Sequence, residues 1–233
     1  MKFFWINCEQ HIERRATIER IFKEKNIENY RVDAFVPPNE QKTKANLERA
    51  CTISHLLAMS KFLIETNDKY AIICEDDLTF EFEQFWTFTI DDIPNKAPKD
   101  FGIVQLACIL QSIETKFKDM DLFFRYRSCK SSGTLSYLIT RQAAGEIVKQ
   151  MMHKSILPRA DCFSSGLYML CDMCSINEFS YTLKYPMFIY SDENDSTIGN
   201  SIPLHISSKK QQLQFLSKMH SIHCTEACSS RLN

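Results

Sequence analysis

The first 77 residues alternate between short apolar runs and longer segments with helical spacing, and this alternation limits the folds open to the chain. Apolar runs at Lys2–Ile6, Tyr30–Phe35 and Tyr70–Cys74 predict strands. Between them, Glu13–Lys25 and Ala45–Thr66 carry apolar residues at helical spacing and predict helices. Strands that alternate with helices are typical of a parallel sheet. We therefore predict an α/β fold with a mostly parallel central sheet flanked by helices.

The remainder of the chain continues the mixture of strands and helices. The predicted later elements are strands at Phe101–Ala107, Leu122–Tyr126, Gly133–Ile139 and Tyr181–Tyr190, and helices at Arg141–Met152 and Lys209–His220. A chain of 233 residues suits one sizeable domain with an appendage. We place the domain at residues 1–208, followed by a C-terminal helix and a loose tail at residues 209–233.

Three consecutive acids, Glu75, Asp76 and Asp77, follow the buried-looking strand Tyr70–Cys74. Ligands of parallel α/β sheets bind beyond the carboxyl ends of the strands, which is where these acids lie. The three carboxylates repel one another, but a divalent cation such as Mg²⁺ or Mn²⁺ would hold them, because hard cations prefer carboxylate oxygens. The alternative is an acidic loop without a ligand.

Composition and charge narrow the classes of partner and location. The formal net charge is −1, which does not indicate a general nucleic-acid footprint. The apolar run at the N-terminus is too short for a signal peptide, and no stretch approaches the ~18 apolar residues that predict a membrane span. We expect a cytoplasmic protein with no membrane span and no nucleic-acid partner. The sequence does not indicate its oligomeric state.

The chain contains 10 cysteines, several of them inside apolar patterns that are typical of free buried thiols. One group has a metal-like composition: the CxxC pair Cys171 and Cys174, followed later by His220, His223, Cys224 and Cys228. Its spacing matches no standard zinc pattern, so a structural zinc site and scattered thiols both stay open.

Two motifs about twenty residues apart, Cys51–Leu56 and Ile72–Asp77, resemble the paired signature of glycosyltransferase family 25. This family includes bacterial lipooligosaccharide galactosyltransferases and procollagen galactosyltransferases. Further similarities follow in order along residues 2–200, at Phe4–Asn7, Glu13–Arg15, Thr134–Thr140, Gln142–Ala144, Leu157–Asp161, Tyr185–Pro186 and Asp195–Thr197.

The resemblance implies a GT-A-like nucleotide-sugar-binding fold in which Glu75-Asp76-Asp77 is the DxD-type element, with Glu in place of the first Asp. It implies a metal-dependent, inverting transfer of a hexose, galactose or glucose, from a UDP-sugar to a glycan or to a protein hydroxyl. Mn²⁺ or Mg²⁺ would bridge the donor diphosphate and stabilise the negative charge that develops on it.

The resemblance also assigns roles to individual residues. Asp77 is expected to be the closest metal ligand. Glu75 is expected to be either a second ligand or a contact to the donor's ribose or sugar, and Asp76 is expected to contact the nucleotide sugar beside them. Asn7 is expected to contact the nucleoside unless it only ends its strand. Arg14 or Arg15 is expected to pair with phosphate unless it lies on a solvated helix face.

Four further residues complete the expected site. Asp161 is the first candidate for the base that deprotonates the acceptor hydroxyl, although it could equally be a helix N-cap. Asp195 is a second candidate base or a further metal ligand, or else a solvated loop acid. Tyr137 either lines the pocket or packs on its strand. His55 is a hydrogen-bonded structural histidine or orients the acidic loop.

Two other functions stay open. The first is a catalytically degenerate GT-A domain that only binds nucleotide sugars or acts as a scaffold, which the scarcity of glycine and the irregular segment 192–201 allow. The second is a metal-dependent nucleotidyl or phosphoryl transferase, which the absence of a G-x-x-x-x-G-K-[ST] phosphate loop disfavours.

Overall fold

A computed structural model describes residues 1–109, 112–125, 133–153, 179–191 and 202–229. The strands are β1 Phe3–Asn7, β2 Asn29–Asp33, β3 Tyr70–Glu75, β4 Leu78–Thr79, β5 Ile103–Gln105, β6 Phe123–Arg125, β7 Ser136–Thr140, β8 Ser180–Leu183 and β9 Ile189–Tyr190. The helices are α1 Ile12–Glu24, α2 Lys44–Glu65, α3 Ile93–Lys96, α4 Ile113–Phe117, α5 Arg141–His153 and α6 Ile202–Ser229.

Seven of these strands form one sheet in the order β2-β1-β3-β7-β5-β8-β6, and β4 pairs separately with β9. β1 is parallel to β2 and β3, and β5 is parallel to β8, whereas β7 and β6 run antiparallel to their neighbours. Five strands of the described sheet therefore share a direction. The predicted α/β class with a mostly parallel sheet is confirmed.

Helices cover both faces of the sheet. Phe3 and Trp5 of β1 pack with α1 and α6 on one face, whereas Phe4 and Ile6 pack with α2 and α5 on the other. Successive residues of a strand point to opposite faces, so a strand buried on both sides is apolar at every position. This is why β1 and β3 read as continuous apolar runs.

Several element boundaries differ from the prediction for local reasons. β2 ends at Asp33 rather than at residue 35, and the backbone N–H of Phe35 instead donates to Ser54 Oγ on α2 at 2.9 Å. The predicted strand Tyr181–Tyr190 is interrupted around Pro186, which has no N–H to donate to a sheet.

The terminal helix begins at Ile202, not at Lys209, and it runs through the predicted boundary at residues 208 and 209. Phe215 and Leu216 of this helix are buried in the core cluster on the α1 face. The division of the chain at that boundary remains a prediction.

The sheet brings four strand ends to one edge. Ile6 lies opposite Glu75, and Asn7 lies opposite Asp33, so the carboxyl ends of β1, β2 and β3 are level. β7 runs the other way, with Ser136 opposite Cys74, so its amino end meets the carboxyl end of β3. The acids that follow β3 therefore face residues from three other strands.

Candidate active site

A cleft of about 280 Å³ opens at this edge of the sheet. Its floor contains Glu75, Asp76 and Asp77, and its walls come from α1, α2, the segment after β2, the approach to β7 and the start of α6. The site thus lies beyond the carboxyl ends of parallel strands, as the sequence predicts.

Asp76 is held by residues of β1 and α1. Asn7 Nδ2 donates to Asp76 Oδ2 at 2.6 Å, and an Arg14 guanidinium nitrogen lies 3.2 Å from Asp76 Oδ1. Asn7 is itself fixed by Arg31, whose Nε donates to Asn7 Oδ1 at 3.0 Å. Burial raises the pKa of Asp76, and the hydrogen bond from Asn7 and the charge of Arg14 offset only part of this effect. Asp76 therefore acts as an anchor inside a hydrogen-bonded network.

Glu75 turns the opposite way, towards α2 and β7. Thr134 Oγ1 donates to Glu75 Oε1 at 2.6 Å, and His55 Nε2 lies 3.5 Å from the same oxygen. Burial by itself raises the pKa of Glu75, but the interactions with His55 and Thr134 outweigh it, so the net pKa is lowered. His55 is oriented in turn by Tyr137, whose hydroxyl lies 3.0 Å from Nδ1.

Asp77 lies between these two networks and is the least satisfied of the three acids. Its Oδ1 is buried and has no hydrogen-bond partner within the described part of the chain, while Oδ2 lies 4.0 Å from Arg14. Burial is the main cause that raises the pKa of Asp77, to about 7, and the charges of Glu75 and Asp76 add to it. A buried carboxylate oxygen without a partner is costly unless a cation or a donor group binds it.

Other parts of the cleft lining carry apolar side chains. Phe35, Val36 and Pro37 form one side, and His205 and Ile206 at the start of α6 form another. The backbone N–H of Ser191, just after β9, donates to the carbonyl oxygen of Asp77 at 2.7 Å, which ties the acidic loop to this part of the lining. An acidic floor beneath an apolar rim suits a ligand with one charged end and one uncharged end.

The structure brings most of the predicted site residues together. Asn7, Arg14 and the three acids meet at the cleft, whereas Arg15 lies on the outer side of α1 in an ion pair with Glu19. Tyr137 has no exposed surface and reaches the cleft only through His55.

The predictions for Asp161, for Asp195 and for the possible zinc group cannot be compared with the cleft. Asp161 and Asp195 lie outside the described residues, as do Cys171 and Cys174 of the possible zinc group. Of the C-terminal members of that group, only the His220 side chain is described, and it is exposed on α6.

Sequence reasoning missed Thr134 and Arg31 as parts of the network, and it treated Cys51 only as part of a motif. A detectable signal existed for Cys51, because it lies four residues before His55 on α2 and must share a helix face with it. Thr134 carried no local signal, since it meets Glu75 only through the antiparallel pairing of β7 with β3.

The fold and the site together define an α/β protein with an acidic ligand cleft at the carboxyl ends of its strands. Residues 1–163 match the family described as "Glycosyltransferase family 25 (LPS biosynthesis protein)". The chain therefore belongs to glycosyltransferase family 25, as its motifs indicate. No curated protein matches the sequence.

Three solved structures show slight similarity of fold. A glycosyltransferase involved in the glycosylation of the major capsid of PBCV-1 is 11% identical, with a TM-score of 0.49 and coverage of 93% of this chain and 98% of the other. A197 from STIV is 12% identical, with a TM-score of 0.41 and coverage of 84% and 95%. Galactosyltransferase LgtC is 9% identical, with a TM-score of 0.40 and coverage of 78% and 73%. No helix within the described ranges is long and apolar enough to cross a membrane.

Proposed function

We propose that this glycosyltransferase transfers a hexose, galactose or glucose, from a UDP-sugar to a hydroxyl of a glycan or a protein, with inversion at the transferred carbon. The observation that carries the proposal is the buried Oδ1 of Asp77, which has no hydrogen-bond partner among the described residues, in a cleft that Arg14 and Glu75 also line. Family membership supplies the reaction class, and the donor and acceptor are what the resemblance to the family implies.

The residues present fit a divalent cation of the Mn²⁺ or Mg²⁺ class. Asp77 Oδ1 needs a positively charged partner, and carboxylate oxygens are the ligands these ions prefer. Asp77 would be the principal ligand, with Glu75 and Asp195 as further candidates. When bound, such an ion stabilises the negative charge of the departing diphosphate.

The chain's own residues position the donor. Arg14 reaches the cleft from α1 and offers a guanidinium to phosphate oxygens, which it suits by geometry and permanent charge. Asn7 donates a hydrogen bond to Asp76, and Asp76 in turn holds Arg14. The guanidinium of Arg14 is therefore already oriented before a donor binds. Asn7 and Asp76 are also candidates for contacts to the nucleoside.

The acceptor must be deprotonated as it attacks. Asp161 is proposed as the base that accepts this proton, because the resemblance to the family places an acid there. The apolar rim at Phe35, Val36 and Pro37 would exclude water from the reacting centre and would pack on the uncharged part of a sugar.

The test is turnover of a panel of nucleotide sugars by the purified chain, with and without Mn²⁺, followed by UDP release and UDP binding. We expect slow Mn²⁺-dependent hydrolysis of UDP-galactose or UDP-glucose and its loss in Asp77→Asn, with the exposed Asp119→Asn as the matched control. Mn²⁺-dependent UDP binding without turnover of any donor would instead support a degenerate binding domain. Absence of both binding and turnover would refute the proposal.

A further inference from the structure

A second group of potential metal ligands lies on the α2 side of the cleft. Cys51 and His55 are four residues apart on α2, and Glu75 ends β3 opposite them. One ligand atom from each, Cys51 Sγ, a His55 ring nitrogen and a Glu75 carboxylate oxygen, all lie within 4.8 Å of one another. Helical spacing of four places the cysteine and the histidine on one face, aimed at the same point.

His55 supplies an independent sign of a missing partner. Its side chain is 1% exposed, and Nδ1 is already engaged by the Tyr137 hydroxyl at 3.0 Å. Nε2 is buried and makes no hydrogen bond to any residue that the structure describes, although Glu75 Oε1 lies 3.5 Å away. Metal binding through Nε2 requires the tautomer with the proton on Nδ1, in which His55 would donate to Tyr137 and direct the lone pair of Nε2 towards Glu75 and Cys51.

The surroundings resemble the outer shell of a metal site. A histidine that binds a metal usually donates its other ring N–H to a fixed acceptor, and the Tyr137 hydroxyl, 3.0 Å from Nδ1, is placed to accept that bond. A ligating carboxylate is usually hydrogen-bonded as well, and Thr134 Oγ1 donates to Glu75 Oε1 at 2.6 Å. Both outer partners come from the segment around β7, so the sheet holds the ligands in place.

We propose that Cys51, His55 and Glu75 bind a zinc-class divalent cation. A set with one sulfur, one nitrogen and one oxygen suits Zn²⁺, whereas Mg²⁺ and Mn²⁺ prefer oxygen alone. Binding releases the thiol proton of Cys51 to solvent, because only the thiolate is a ligand. Bonds of about 2.0–2.3 Å around a tetrahedral ion bring the ligand atoms to roughly 3.5 Å apart, which requires a contraction of about 1 Å.

This site is centred on α2 and does not depend on the donor or acceptor. It takes Glu75 as a ligand, so Glu75 is then not a ligand of the ion proposed at Asp77. All three ligands line the cleft, so the fourth position of the ion faces it and is open to water or a ligand. With Glu75 bound on the α2 side, Asp77 is left as the carboxylate for a hard cation. The chain would then hold two ions of different chemistry at one cleft.

The test is titration of the purified, metal-free chain with Co²⁺, a spectroscopic substitute for Zn²⁺. We expect one equivalent to produce a thiolate-to-cobalt charge-transfer band that Zn²⁺ abolishes. The band should be absent in Cys51→Ser and present in Cys8→Ser, which removes another half-buried thiol lining the same cleft. It should persist in Asp77→Asn, because that residue belongs to the other site.

Two further variants keep the test decisive if Cys51→Ser does not fold, which its melting curve without metal will show. His55→Gln should abolish the band, and Thr134→Ala should weaken Co²⁺ binding by roughly tenfold or more through the loss of its hydrogen bond to Glu75. No band in the wild type, or equal bands in Cys51→Ser and Cys8→Ser, would overturn the proposal. Loss of the band in Asp77→Asn would show that the two sites are not separate.

Discussion

Replacement of Asp77 by Asn should stabilise the protein in the absence of metal. The folded chain keeps this carboxyl buried beside two other acids, which raises its pKa from 3.8 to about 7. In the unfolded chain the group loses its proton near its ordinary pKa, so between these values the folded state binds more protons than the unfolded state. The free energy of unfolding therefore falls as pH rises through this interval, and the whole penalty is present above pH 7.

The size of the effect follows from the pKa. One pKa unit corresponds to about 1.36 kcal/mol, so the penalty at pH 8 is on the order of 4 kcal/mol, and at pH 5 it is on the order of 2 kcal/mol. For a chain of this size, 1 kcal/mol shifts the melting temperature by roughly 2–4 °C. Asp77→Asn should accordingly raise the melting temperature by roughly 8–16 °C at pH 8 and by roughly 4–8 °C at pH 5.

The assay is thermal unfolding of both chains at pH 5 and pH 8 in a chelating buffer, with Asp119→Asn as a control. Asp119 is exposed on the surface, so its replacement should change the free energy of unfolding by no more than about 0.5 kcal/mol at either pH. An equal or lower melting temperature for Asp77→Asn at pH 8, or a gain of the same size at both pH values, would refute the electrostatic argument.

The remaining predictions concern the networks and the core, and each is measured by urea unfolding. Asn7→Ala should lower the free energy of unfolding by roughly 2–3 kcal/mol, because Asp76 loses a buried hydrogen bond and Arg31 loses a partly buried one. A change under about 0.5 kcal/mol would mean that water replaces Asn7. Tyr137→Phe should lower it by roughly 1–2 kcal/mol by leaving His55 Nδ1 unpaired, and no loss would show that this contact is not a stabilising hydrogen bond. Phe62→Ala should lower it by roughly 3–5 kcal/mol, and a much smaller loss would indicate that the core around α2 and β1 collapses into the space.

The strands and helices of the first 77 residues were predictable because their signals are local. β1 and β3 are apolar up to their last residue since helices cover both faces of the sheet, and the buried residues of α2 recur at helical spacing from Ala50 to Phe62. The terminal helix was predicted too short. Its first turns contact β9 through the bond from the Tyr190 hydroxyl to the carbonyl oxygen of His205, and His205 and Ile206 line the cleft, which are tertiary contacts that the local pattern does not show.

The order of strands was not predictable from these signals. β7 lies between β3 and β5 and runs antiparallel to both, a choice that depends on pairings between residues more than thirty positions apart. Its position brings Thr134 to Glu75 and Tyr137 to His55, so the role of Thr134 could not be found without the strand order.

The sequence by itself determined that three acids end a buried strand, because an apolar run followed by carboxylates is written in consecutive residues. Only the tertiary structure decided that the acids have different surroundings: Asp76 is held by Asn7 and Arg14, Glu75 turns to Thr134 and His55, and Asp77 is left without a partner for Oδ1 among the described residues. The physical reason is that hydrogen bonding and burial set the charge state of a carboxylate. Both come from residues that lie far apart in the chain and meet only when the sheet is assembled.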